Sequence, residues 1–524
     1  MAETKREIER KYESDDSGLP DLTGVAGVVS VLDKGVAELD ATYYDTSDLR
    51  LAAASITLRR RTGGSDAGWH LKLPVSPGVR DEIHAPLSDT MPEELAGLVR
   101  ARVREGQLVP VVRLRSSRDV RDLVDAEGRL LAEASVDAVR ADRLFGGTGS
   151  AQWTEIEVEL ADGGDPALLD KVEKRLRKAG VRPSKSSSKL ARALTETASK
   201  KKSKKKGEAK GKGQGEAKGE RPFAGDAGAE DGVEGGTAGD HVLAYVRAQR
   251  DAIVELDPAV RLEAEESVHD MRVATRRLRS TFRSFRKVLD RTVTDPIAVE
   301  LKWLAGELGV GRDSEVLSER LAAGLDDLPH PLVSGPVRER LQSWAKAQHH
   351  GSRRRLLGVL DSKRYLTLLD TLDALVAGPP LLKAAGGKPE KVLAKAVRKD
   401  FAKVSALVEE AMRQPPGTDR DLGLHEARKK AKRTRYAAET ANPALGGPAK
   451  ALTKSMKSLQ SLLGEHQDSF MARVTLRELS AVAHAAGESA FTYGVLYGRE
   501  EQRAAAVEAE LPVQWETTQG AMEV

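Results

Sequence analysis

In KREIERKYE, residues 5–13, Glu7, Glu9 and Lys11 alternate with Ile8 and Arg10. On a strand, residues two apart share a face, so two carboxylates and an ammonium converge where an ordinary half-buried strand carries apolar side chains. The pattern recurs. Arg59 and Arg61 share a face in ITLRRRT, His70 and Lys72 in WHLKLP, Arg80, Glu82 and His84 in VRDEIH, Arg113 and Arg115 in VVRLRSS, and Glu155, Glu157 and Glu159 in TEIEVEL. One arrangement gives each strand an apolar core face and a wet charged face. Adjacent like charges repel on an open sheet, whereas a closed barrel can gather them around a wet interior. Carboxylates without cysteine suit Mg2+ or Mn2+, and cations suit phosphate oxygens. Together they ask for a metal-bound polyphosphate.

The elements that must position these residues read as many short strands at regular spacing up to EIEVEL, with helical interruptions at 88–104 and 165–180, which predicts a closed antiparallel sheet. Near Ser199 the composition changes to SKKKSKKKGEAKGKGQGEAKGE and then GDAGAEDGVEGGTAGD. Such sequence buries nothing and reads as a disordered tether over 199–239. Its lysine tract, Lys200 to Lys206, is a solvated tether or an electrostatic site for nucleic acid, the weaker partner reading. Beyond it the pattern is helical with short Pro/Gly breaks. The expected division is 1–198, 199–239 and 240–512. The 524 residues carry a formal net charge of +4, and there is no cysteine, which excludes disulfides and thiolate chemistry. No apolar run is long enough to span a bilayer, so a cytoplasmic protein without membrane partners is expected.

Glu7-Ile8-Glu9-Arg10-Lys11 resembles the ExExK signature of the CYTH family, the triphosphate tunnel metalloenzymes, with YYDT, LRRR, LKLP, RDEIH and EIEVEL following in that family's order over about residues 3–196. The resemblance implies an eight-stranded antiparallel β tunnel barrel with flanking helices, and metal-dependent action on triphosphates or nucleoside triphosphates. Carried over by residue, it implies Glu7, Glu9, Glu157 and Glu159 as metal ligands, joined by Asp137. Lys11, Arg59, Arg61, Lys72, Arg113 and Arg115 become phosphate-holding cations, and Arg80 and Glu82 a charged pair. Lys185 and Lys189, in SKSSSKL, both match a C-terminal lysine position, and Lys185 is carried into the site. Glu155 is the alternative to one of its acidic neighbours.

The helical half contains an internal duplication. VHDMRVATRRLRSTFRSF aligns with LHEARKKAKRTRYAAE, setting His269 on His425, Arg272 on Arg428, Arg276 on Lys432 and Arg279 on Arg435. LGVGRD, ending at Asp313, matches LGEHQD, ending at Asp468, and Lys302 falls opposite Lys457. At about 100° per residue, His269, Arg272, Arg276, Arg279 and Arg283 form a basic stripe beside the apolar one of Met271, Ala274, Leu278 and Phe282. Acids from neighbouring helices could neutralise it; a polyanion groove is the sharper reading, with the two histidines touching phosphate. These motifs resemble the CHAD family, the conserved histidine α-helical domain, over roughly 240–510. That implies an all-α domain of two duplicated four-helix bundles around a basic cavity that binds inorganic polyphosphate. Gln467 stands where the first repeat has Arg312.

The expected function is Mg2+- or Mn2+-dependent hydrolysis of inorganic triphosphate, coupled to polyphosphate binding by the helical domain. Two readings stay open beside it: a polyphosphate-granule binder with little catalysis, and an adenylate cyclase. Substrate chain length and oligomeric state are not legible at this point.

Overall fold

A computed structural model describes residues 3–14, 18–198, 236–349 and 351–522 of the chain. Residues 199–235, most of the expected 199–239 tether with its lysine tract, lie outside the described residues, while Ala238 and Gly239 at its expected end already belong to a helix capped by Thr237. The chain divides into two compact units, split between Ala229 and Glu230.

Eight strands build the first unit: β1 (Glu3–Ser14), β2 (Ser30–Asp45), β3 (Thr57–Thr62), β4 (Gly68–Ser76), β5 (Val79–Pro86), β6 (Val109–Val124), β7 (Leu130–Arg143) and β8 (Ser150–Leu160). They pair antiparallel in the order β5-β4-β3-β2-β6-β7-β8-β1, and β1 pairs again with β5, which closes the ring. The two-residue β9 (Arg182–Pro183) adds to β1 near its end. Strand β1 thus holds the closure: Glu7 faces Arg80 of β5, while Lys11 faces Glu157 of β8. Closure leaves no unpaired edge in the ring itself.

The apolar faces look outward and are covered by helices. Helix α2 (Glu93–Val103) packs Leu95, Leu98 and Val99 on Leu58, Leu71 and Ile83. Helix α3 (Ala167–Lys178) packs Leu169, Val172 and Leu176 with Tyr12, Ile156 and Val158. These two helices fall within the intervals expected at 88–104 and 165–180; the four-residue α1 (Arg50–Ala53) precedes them. With both apolar layers outside, the charged faces are left to the interior. Helix α4 (Lys189–Glu196) follows β9; its Leu190, Ala193 and Leu194 join Ala41, Val112, Leu114, Val139, Ala141 and Trp153 in one buried cluster.

The second unit is all helical: α5 (Ala238–Arg261), α6 (Ser267–Ser284), α7 (Arg291–Glu307), α8 (Gly309–Asp326), α9 (Val337–His349), α10 (Ser352–Asp361), α11 (Lys363–Ala377), α12 (Pro389–Arg413), α13 (Thr418–Leu445), α14 (Gly447–Ala485) and α15 (Phe491–Gly520). The Thr237–Asp240 capping box starts it, and its last helix runs on to Gly520, past the expected limit at 512. The duplicated helices are α6 and α13, which pack on each other. The repeats diverge after them: LGVG interrupts the helix at Leu308, between α7 and α8, whereas LGEH lies inside the unbroken α14.

Candidate functional site

Ladder partners point to the same side of a sheet, so the register follows the inward face strand by strand. Arg59 pairs with Tyr43 and His70, His70 with His84, Lys72 with Glu82, Arg118 with Asp137, Asp137 with Glu155 and Glu157 with Lys11. All these side chains face the interior. They form two adjoining centres.

In the first, Asp137, Glu155 and Glu157 are buried and each brings one oxygen within 4.8 Å of the others. Lys189, from the first turn of α4, reaches all three, at 3.0, 2.8 and 2.6 Å. Arg118 joins Asp137 and Glu157, each at 2.8 Å, and Lys11 pairs with Glu157 and, at 2.8 Å, with Glu9. Burial opposes charge on Glu157, but Lys11, Lys189 and Arg118 outweigh it and hold this carboxylate well below its usual range. Asp137 is lowered in the same way, with Lys189 and Arg118 overcoming burial. Burial likewise works against Lys189, whose three carboxylates nonetheless raise its pKa.

In the second centre, Lys72 pairs with Glu7 and lies 3.6 Å from Glu82, which also takes contacts from His70 at 2.9 Å and Arg59 at 3.5 Å. The environments of Glu7 and Glu9 split their behaviour. Burial pushes Glu7 up to about 7, against the pull of Lys72. Glu9 is buried as well, yet Lys11 and Lys72 overcome the burial and draw it down to about 2. Arg61, buried beside Arg59 and Arg118, is pushed down to about 9 and pairs with Asp66. Arg80 is buried and donates to the carbonyls of Ser55 and Ser187, at 3.5 and 3.0 Å.

In the helical unit, α6 and α13 bring Arg272, Arg276, Arg428, Lys432 and Arg435 into one cluster. Lys432 is pushed down to about 7 by burial and by the positive field of the other four. The Nε groups of Arg276, Arg279 and Arg428 are buried without a hydrogen-bond partner among the described residues, which marks donors suited to an acceptor. Two carboxylates temper the cluster. Arg272 pairs with Asp313 at 2.5 Å, and Asp468 is itself raised by burial, against the pull of Arg428, Arg320 and Lys432. His425 Nδ1 lies 2.5 Å from Gln467 Oε1. Arg283, His269, Lys302 and Lys457 are exposed.

The CYTH domain profile matches residues 5–194, and the CHAD domain profile matches residues 244–477. A protein of Mycobacterium tuberculosis, described as uncharacterized, is 38% identical over 510 residues, covering 94% of this chain and 92% of that one. The chain belongs to the CYTH and CHAD families. Among solved structures, the CHAD domain from the plant Ricinus communis is 25% identical with a TM-score of 0.41, covering 58% of this chain and 98% of that one. PptA from Streptomyces chartreusis is 20% identical with a TM-score of 0.45, covering 53% and 99%.

Within the CYTH domain the structure redraws part of the expected site. Arg113 and Arg115 point outward, to Asp40 and Asp142, each at 2.5 Å, and are exposed. Here the inward positions of β6 are Val112 and Leu114, packed with α4, so charge marks the outer face at this end of the strand. The inward cation of β6 is Arg118, three residues further on, where the interior turns polar. Lys185 is exposed, and Lys189 occupies the acidic centre; the Ser188 side chain caps α4 at Ala191 and so sets the first turn that aims Lys189. Glu159 faces inward but pairs with Lys5 at 2.7 Å, while Glu155 completes the acidic trio with Asp137 and Glu157. Lys189 and Glu155 carried a signal in their motifs. Arg118, in SSRDV, is found only by counting inward positions from the register.

Proposed function

We propose that the CYTH domain hydrolyses inorganic triphosphate with Mg2+ or Mn2+, and that the CHAD domain binds inorganic polyphosphate through the cluster on α6 and α13. The observation that carries the first reading is the convergence of Lys11, Lys72, Arg59, Arg118 and Lys189 with Glu7, Glu9, Glu82, Asp137, Glu155 and Glu157 inside one closed ring. An all-oxygen donor set fits a hard divalent ion, and Asp137, Glu155 and Glu157 would hold it. Such an ion supplies Lewis-acid charge to a phosphoryl oxygen. The chain's own contribution is an exchange of partners. Lys11, Arg118 and Lys189 neutralise the acidic trio; with an ion held by the trio, these three side chains would be free to bind phosphate oxygens. Lys72 and Arg59 bind the other end of the phosphate chain. Glu7, balanced near neutrality, is placed to accept the proton of an attacking water.

Phosphate release from inorganic triphosphate by the full chain tests this, with Glu157→Gln and Lys189→Met as variants and circular dichroism as the folding control. Release should require the divalent ion and fall about 100-fold or more in either variant, the scale expected for losing one group that stabilises developing charge. Equal release by folded variants sinks the assignment. Cyclic nucleotide from ATP in the same assay would replace hydrolysis with cyclisation.

A further inference from the structure

Three helices of the helical unit meet at a group that the polyanion reading does not use: Asp421 of α13, His466 of α14 and Glu508 of α15. His466 is only 2% exposed. Its Nε2 lies 3.3 Å from Asp421 Oδ1 and 3.3 Å from Glu508 Oε1. Both contacts are long for an N–H···O hydrogen bond, whose usual distance is about 2.9–3.0 Å, and one N–H cannot point at both. The spacing has another meaning: donors on a tetrahedron with bonds of about 2.0–2.1 Å stand about 3.3 Å apart.

The outer oxygens are occupied differently. Arg420 Nη1 is 3.2 Å from Glu508 Oε2, and Arg473 Nη2 is 3.5 Å from Asp421 Oδ2. Each carboxylate is thereby turned so that its other oxygen faces the imidazole, the work that supporting groups perform around metal ligands. The first repeat lacks this set: Gly311 stands where His466 does in the alignment of LGVGRD with LGEHQD. The trio is therefore not part of the duplicated anion machinery.

We propose that Asp421, His466 and Glu508 form a binding site for a divalent transition-metal ion of the Zn2+ class. An imidazole with two carboxylates favours Zn2+, Mn2+ or Co2+ over Mg2+ and Ca2+, and three ligands leave a fourth position for water or a phosphate oxygen. The site adjoins the basic cluster through Gln467, which follows His466 and contacts His425.

The test uses the full chain stripped by chelator and titrated with Co2+, whose visible d–d absorption reports four-coordination, together with metal content after dialysis against Zn2+. Glu157→Gln, altered at the ion site proposed for the barrel, should keep the four-coordinate Co2+ band of the intact protein and the one equivalent of Zn2+ that belongs to the helical trio, whatever the barrel itself loses. Asp421→Asn and Glu508→Gln, near-isosteric changes at positions less buried than His466, should lose the band and that equivalent. A band absent from the intact protein, or unchanged in both variants, overturns the proposal and leaves His466 as a donor shared between two carboxylates.

Discussion

Lys432 shows how much a single residue's position matters. Its aligned partner, Arg276, is a guanidinium that stays charged in the same field, whereas a lysine can give up its proton. In the folded protein its pKa is about 7, below the ordinary 10.5, because of burial and of Arg428, Arg276, Arg272 and Arg435. The unfolded chain therefore holds more protons between about pH 7 and 10.5, so this group makes stability rise with pH across that window, and its cost is fully present below pH 7. A bound polyanion reverses the field and restores the proton. Polyphosphate binding by the full chain should take up protons near pH 7.5, read calorimetrically in two buffers of different ionisation heat, and should weaken several-fold from pH 6.5 to 8.5. Because histidines also titrate nearby, Lys432→Met is the control: uptake should shrink and the folded variant should melt higher at pH 6.5. Equal proton uptake in both proteins would defeat the argument. Residue types at such positions were legible in the sequence. The facing of Arg113 and Arg115 was not, because alternation shows that a face is charged but not whether the inside of the ring is polar at that level.

Elements carry the second kind of information, where backbone shape makes room for a functional side chain. A Cβ on Gly309 would lie 2.8 Å from Arg272 Nη2, and one on Gly464 would lie 3.3 Å from Arg428 Nη2. These glycines are the second residues of LGVGRD and LGEHQD, so both repeats lay the corresponding arginine against a bare stretch of helix. The duplication was visible in the sequence, but the purpose of its glycines needed the packing of α6 against the start of α8 and of α13 on α14. Alanine improves helix propensity by up to about 1 kcal/mol inside a helix, as at Gly464, and by less at a first residue such as Gly309. Gly309→Ala should therefore leave the melting temperature unchanged or higher, yet displace Arg272 and weaken polyphosphate binding several-fold. Gly464→Ala should act in the same direction and more weakly. A pair of variants with unaltered affinity would show that neither arginine needs its glycine. The ring illustrates the same limit of sequence reading: strand existence and the outer helices follow from alternation and apolar spacing, while the aim of Lys189 depends on where α4 joins the end of the ring.

At the scale of the molecule, the two units have separate hydrophobic cores. The apolar clusters of the ring, outer and inner, draw only on residues before 199, and the cluster of Leu321, Leu476 and Tyr493 draws only on the helical unit. Each should therefore fold alone, which makes the relation between hydrolysis and binding measurable. If a tether brings a bound chain to the ring, the gain is one of effective concentration and depends on the substrate reaching both sites. Inorganic triphosphate is too short to do so. A fragment of residues 1–198 should match the intact chain in kcat/KM for triphosphate. On long-chain polyphosphate at concentrations below saturation, the intact chain should be faster by ten-fold or more, and adding the helical domain in trans should not restore the difference. Raised salt should erase the advantage, since anion capture by arginine and lysine is screened. If fragment and intact chain cleave long polyphosphate equally at low concentration, the two domains act independently, and fusion serves placement of the protein rather than supply of its substrate.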